Sequence, residues 1–234
     1  MWHEIGRQLG HPSGWRGRAL GQLMRVANRL PNRLALDALA LEAGDTVLEL
    51  GFGPGEALAA MVQGGCRAIY GIDRSAAMIE QATRRNRAAV AAGRIRLCEG
   101  DFASLPYPDA SFDKVLAVNV VYFWHHAAEV ISEIRRVLRP GGSLVIYATH
   151  SGSLDKWKFA GGDTHRHFDE QALLALLMAG GFAPELITVT AVTLARSVSG
   201  LVMVAHTACS VTETCDGRWI LPASSHREGE ASRS

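Results

Sequence analysis

Between residues 47 and 61 the chain reads VLELGFGPGEALAAM: an apolar run, three glycines spaced two apart, then an alanine-rich stretch. A short β-rich run that stops at glycine and resumes at helical spacing predicts a strand, a tight turn and a helix. That junction restricts the fold more than any other feature, because the rest of the chain repeats it. Strands are predicted over 46–50, 67–73, 94–101 and 143–150, with a further strand opening the run 114–124. Helices are predicted over 56–62, over 76–91 with Ser75 as N-cap, and over 126–138. A helix over 170–180 then precedes two β-like runs, 184–194 and 200–207. Such alternation predicts an α/β fold: a parallel sheet with helices on both faces and right-handed connections. Its ligand crevice is expected at the carboxyl ends of the strands.

Ahead of this core, Leu20, Leu23, Met24, Ala27 and Leu30 recur at helical spacing, Pro31 interrupts, and Leu34, Leu36, Leu39 and Leu41 continue an apolar face. The organisation expected is a helical extension over 1–44, a core over 45–208 and a flexible polar tail over 209–234. With 24 basic and 23 acidic residues, the chain has no charge excess to attract a nucleic-acid backbone. No apolar stretch is long enough to span a bilayer, so no membrane span is expected. The start, MWHEIGRQLGHPSG, has no apolar leader core, and Cys66, Cys98, Cys209 and Cys215 form no CxxC pair. The compartment these features predict is the cytoplasm.

Three features turn the glycine junction toward chemistry. Asp73 ends the second strand, where a carboxylate beside a glycine loop can accept hydrogen bonds from a ribose diol; alone, it is equally a turn or cap residue. The glycine spacing is ExGxGxG rather than GxGxxG, Pro54 removes an amide donor, and Glu56 places negative charge at the helix start. A nucleoside without phosphates suits such a loop better than a dinucleotide. Asp101 and Phe102 close the third strand, where a carboxylate and a ring can hold an adenine; a capped loop with Phe102 in the core is the plain alternative.

Taken together, VLELGFGPG, GIDRS, EGDFASLPYPDASFDKV and LRPGG, in that order, resemble the class I S-adenosylmethionine-dependent methyltransferases. The resemblance covers about 45–150 and, more loosely, the chain to 207, and LPYPDASFD resembles the branch that modifies small molecules. It implies a Rossmann-like seven-stranded sheet with the last strand antiparallel, the cofactor S-adenosylmethionine, its product S-adenosylhomocysteine, and a lid formed by the amino-terminal segment. It also implies that Glu49 and the backbone of Gly51, Gly53 and Gly55 face the methionine part, and that Asp73 binds the ribose. Arg74 and Met78 would then lie near the adenine, Asp101 and Phe102 would hold it, and Asn119 would stand beside the transferred methyl.

Methyl transfer from a sulfonium needs a base only where the nucleophile carries a proton. NVVYFWHH offers Tyr122, His125 and His126 as catalytic candidates, with helix capping and solvation as the alternative for the histidines. Trp2, Trp15, Trp124, His150 and Trp157 are candidates for the acceptor pocket, and ordinary core is the alternative for any one aromatic. The histidines lack metal-ligand spacing, so no metal is expected. The acceptor expected is a small aromatic or hydrophobic molecule methylated on oxygen, nitrogen or sulfur by a monomer or homodimer. A C-methyltransferase, a lipid or protein methyltransferase, a nicotinamide-dependent oxidoreductase and a non-catalytic binding module are the alternatives.

Overall fold

Every residue of TVLEL, strand β1 (Thr46–Leu50), is buried, as a central parallel strand covered on both faces requires. The computed structural model describes residues 26–155, 166–195 and 198–209, with the strand pair Thr212–Glu213 and Trp219–Ile220. The other strands of the main sheet are β2 (Ala68–Asp73), β3 (Ile95–Glu99), β4 (Phe112–Val118), β5 (Leu138–Thr149), β6 (Ile187–Ala195) and β7 (Val198–His206). Their order is β3-β2-β1-β4-β5-β7-β6, parallel from β3 to β5, with β7 antiparallel to both neighbours. The expected seven-stranded, mostly parallel sheet with an antiparallel last strand is therefore present.

The helices are α1 (Arg29–Leu39), α2 (Glu56–Gln63), α3 (Ala76–Arg85), α4 (Arg87–Ala91), α5 (Ala127–Val137), the single turn α6 (Ser151–Leu154) and α7 (Glu170–Ala179). Two apolar layers sandwich the sheet. One joins Val130, Ile131, Ile134 and Val137 of α5 with Leu173 and Leu177 of α7. The other joins Ala35 and Leu39 of α1 with Leu58 and Met61 of α2. Each fully buried aliphatic side chain contributes about 1.5–3 kcal/mol, so helical periodicity and sheet burial reinforce one another.

Several boundaries differ from the sequence reading. Pro31 does not separate two helices at its own position; it lies buried in the first turn of α1, where its missing N–H costs nothing. The helix expected over 76–91 breaks at Asn86, whose side chain bonds the carbonyls of Gly55 and Ala82. The strand expected over 143–150 starts earlier, β5 beginning at Leu138 within LRPGG, and the pairing register with β4 shifts between Phe112 and Lys114. The run at 184 begins as a 3-10 turn, Pro184–Leu186, before β6.

Candidate functional site

Sheet order reverses between β1 and β4, and a cavity opens at the carboxyl ends of those two strands. Glu49 and Gly51 bring β1 to it, Val118, Asn119 and Val120 bring β4, and Asp73 with Arg74 brings β2. Asn28 and Asn32 of the amino-terminal segment complete one wall.

Glu49 is 3% exposed, and its Oε2 has no hydrogen-bond partner among the described residues. Burial, reinforced by the nearby Asp73, holds its carboxyl well above the ordinary range. Asp73 Oδ2 accepts from the Gly53 amide at 3.0 Å, and Oδ1 accepts from the Ser75 amide at 2.9 Å. The same side chain thus ties the glycine loop to β2. The Gly51 amide donates to Ile72 O and that of Gly55 to Phe52 O, while Pro54 has none. These three glycine amides are spent inside the protein, which leaves the loop fewer donors for a pyrophosphate. The Glu56 charge expected at the helix start is paired with Arg85 at 2.8 Å.

The three glycines differ. A Cβ on Gly51 would meet Val120 Cγ2 at 2.5 Å, and one on Gly55 would meet Ala82 Cβ at 2.8 Å; these two permit close packing. At Gly53 (φ +51°) a Cβ would meet nothing within 4 Å, so this backbone is the one left open to an approaching ligand.

A family model described as a methyltransferase domain matches residues 48–146. Uncharacterized methyltransferase YdaC of Bacillus subtilis (strain 168) is 35% identical over 127 residues, 54% of this chain and 68% of YdaC. The chain belongs to the class I S-adenosylmethionine-dependent methyltransferases. The 27-O-demethylrifamycin SV methyltransferase of Amycolatopsis mediterranei (strain S699) is 38% identical over 53% of this methyltransferase, which spans only 45% of that relative. Among solved structures, the methyltransferase in complex with the Haloferax volcanii Trm112 methyltransferase activator shares the fold. Its TM-score is 0.68 at 21% identity, over 81% of this chain and 94% of that one.

Of the cofactor candidates, the methyltransferase brings Glu49, Gly51, Gly53, Asp73, Arg74, Met78, Phe102 and Asn119 to the cavity wall. Gly55 stands behind it against α3. Asp101 also lies outside the lining: its exposed carboxylate pairs with Arg74 at 2.5 Å, and that hydrogen bond lowers its pKa. The Arg74 guanidinium lies 5.0 Å from the Phe102 ring centroid, so one face of that ring is already covered.

The catalytic candidates are placed differently. His125 and His126 are exposed and outside the cavity wall; His126 Nδ1 lies 3.6 Å from Glu129 Oε1 on the first turn of α5. Tyr122 is buried, donates to Asn119 Oδ1 at 2.8 Å, and burial pushes its phenol pKa up, which keeps it protonated at neutral pH. Trp124 is wholly buried and outside the cavity lining, its ring 6.4 Å from that of Phe102. His150 starts α6, its Nδ1 accepting from the Gly152 amide and its Nε2 3.4 Å from Glu170. Trp2, Trp15 and Trp157 lie outside the described residues.

Sequence reasoning did not select Asn28, Asn32 or Phe123, all of which line the cavity. The available signal was two asparagines four apart, on one helical face beside Pro31.

Proposed function

We propose that this methyltransferase binds S-adenosylmethionine at the β1–β4 switch point and methylates an oxygen, nitrogen or sulfur atom of a small, flat or hydrophobic molecule. Glu49 carries this reading: a buried carboxylate with one oxygen unpartnered among the described residues, lining a cavity where the Gly51, Gly53 and Gly55 amides are already spent. Such an oxygen is satisfied by a cationic donor, and the methionine end of the cofactor carries an ammonium. Asp73 stands on the cavity wall at the end of β2, where a carboxylate can accept from ribose hydroxyls. The donor set therefore fits the cofactor.

When bound, the cofactor supplies a methyl group already activated on its sulfonium. The chain's task is to hold the reactants in line and exclude water. Val118, Val120 and Phe123 give the Asn119 end of the cavity an apolar wall, which favours an apolar acceptor. We assign no proton transfer to Tyr122, because burial keeps its hydroxyl protonated and bonded to Asn119. The positions of His125 and His126 favour positioning over base catalysis. A carbon, lipid or protein acceptor would use the same cofactor wall. We read residues 1–44 as the lid, 209–234 as a tail, and the enzyme as a cytoplasmic monomer or homodimer.

Calorimetric titration with S-adenosylhomocysteine and with NADH tests the cofactor. Saturable binding of S-adenosylhomocysteine, without NADH binding, is the expected result; preference for NADH would sink the reading. Labelled methyl transfer to panels of phenols, amines and thiols then separates the acceptor atoms.

A further inference from the structure

Asn28 occupies the N-cap of α1, yet its side chain caps nothing. The residue three positions on is Pro31, which has no N–H to donate, so the usual N-cap bond to that position cannot form. The side chain is used elsewhere: Asn28 Oδ1 accepts from Asn119 Nδ2 at 2.9 Å, across 91 residues of sequence.

Asn119 follows β4 in the left-handed region, φ +52°, which asparagine tolerates better than most residues. Its Oδ1 accepts from Tyr122 Oη at 2.8 Å, from the Thr149 amide at 3.2 Å and from Thr149 Oγ1 at 3.2 Å. A backbone amide can only donate, so the Thr149 bond fixes which end of the Asn119 amide is oxygen. Of the two hydrogens on Nδ2, one goes to Asn28, and the other has no partner among the described residues. Asn119 lines the cavity, as does Asn28. One donor is left at the β4 end of a cavity that Glu49, with its unpartnered oxygen, also lines.

We propose that Asn28 is a positioning residue for the methionine end of the cofactor: it holds the Asn119 amide so that its second hydrogen serves a carboxylate oxygen of the ligand. This rests on the cofactor reading above. Glu49 and Asn119 then divide an amino-acid group between them, the acid facing the ammonium and the amide facing the carboxylate. The amino-terminal segment thereby takes part in recognising the ligand instead of merely covering it.

The test compares S-adenosylhomocysteine with 5′-methylthioadenosine, which lacks the amino-acid group. Asn28→Ala and Asn119→Ala are each expected to weaken S-adenosylhomocysteine about tenfold, the loss of one hydrogen bond to a charged group. Binding of 5′-methylthioadenosine stays unchanged in both. Asn28→Asp retains the accepting oxygen and restores S-adenosylhomocysteine binding to within about threefold of the parent. Equal weakening of both ligands would reveal a merely structural residue and overturn the proposal. So would unchanged binding in Asn28→Ala, or an aspartate variant as weak as alanine. Should the alanine variant fail to fold, Asn28→Ser, which keeps an N-capping residue, takes its place with the same expectations. If the parent chain binds neither ligand, the cofactor reading itself has failed, which is a separate result.

Discussion

A carboxyl buried like Glu49 favours its proton, because burial strips solvation from the anion and Asp73 adds repulsion. Its raised folded-state pKa makes its contribution most favourable below the ordinary value of about 4.5, and that contribution is lost as pH rises through the raised value. Glu49→Gln should therefore increase the urea stability of the ligand-free chain at pH 8 by about 1 kcal/mol or more, with little gain at pH 4, since it removes an unpaired buried anion. The same substitution should weaken S-adenosylhomocysteine by about 1–3 kcal/mol, because an amide oxygen accepts from an ammonium without the charge of a carboxylate. A variant that gains stability yet keeps full affinity would mean that Glu49 does not face the ligand. Affinity of the parent should rise with pH, since ionised Glu49 is the form that pairs. At this scale the residue types were legible and their orientations were not. Asp73 read as a ribose acceptor, but only the folded loop shows it also holding the Gly53 amide.

The glycine loop and α3 meet through Gly55 and Asn86. A Cβ on Gly55 would lie 2.8 Å from both Ala82 Cβ and Asn86 Nδ2, at φ +78°. Asn86 is buried and donates to Gly55 O and Ala82 O, each at 3.0 Å. Gly55→Ala should cost about 1–3 kcal/mol in chemical denaturation through strain and displacement of Asn86. A cost below about 0.5 kcal/mol, the range of ordinary surface substitutions, would show that α3 can move away freely. The break between α3 and α4 could not be read from the helix's own sequence, because the partner that draws Asn86 inward lies 31 residues earlier. The first turn of α1 was misplaced for the opposite reason: Pro31 looked like a terminator, yet a helix start has no use for the missing N–H.

Across the whole molecule, β1 and β4 are adjacent although two strands separate them in sequence, and the cavity sits at that reversal. Its walls come from the α1 segment, from β1, β2 and β4 and the loops after them, and from Met78 of α3 and Phe102 after β3, so ligand binding should stabilise the fold as a unit. S-Adenosylhomocysteine at a hundred times its dissociation constant should stabilise the chain by about 2.7 kcal/mol. For a chain of this size that raises the melting temperature by roughly 5–10 °C. No shift, with binding seen by calorimetry, would mean that the unfolded chain binds the ligand as well as the folded one does. The sequence by itself determined the strand–helix alternation and the parallel sheet, which follow from local periodicity. It also offered Asp73, beside the glycine motif, as a site candidate, while Glu49 and Asn119 were candidates through the family resemblance of their motifs. Only the tertiary structure decided that Asn28 reaches Asn119, that Asp101 is committed to Arg74 outside the lining, and that His125 and His126 face solvent. A side chain's partner is chosen by the register and packing of distant elements, and no local pattern encodes that choice.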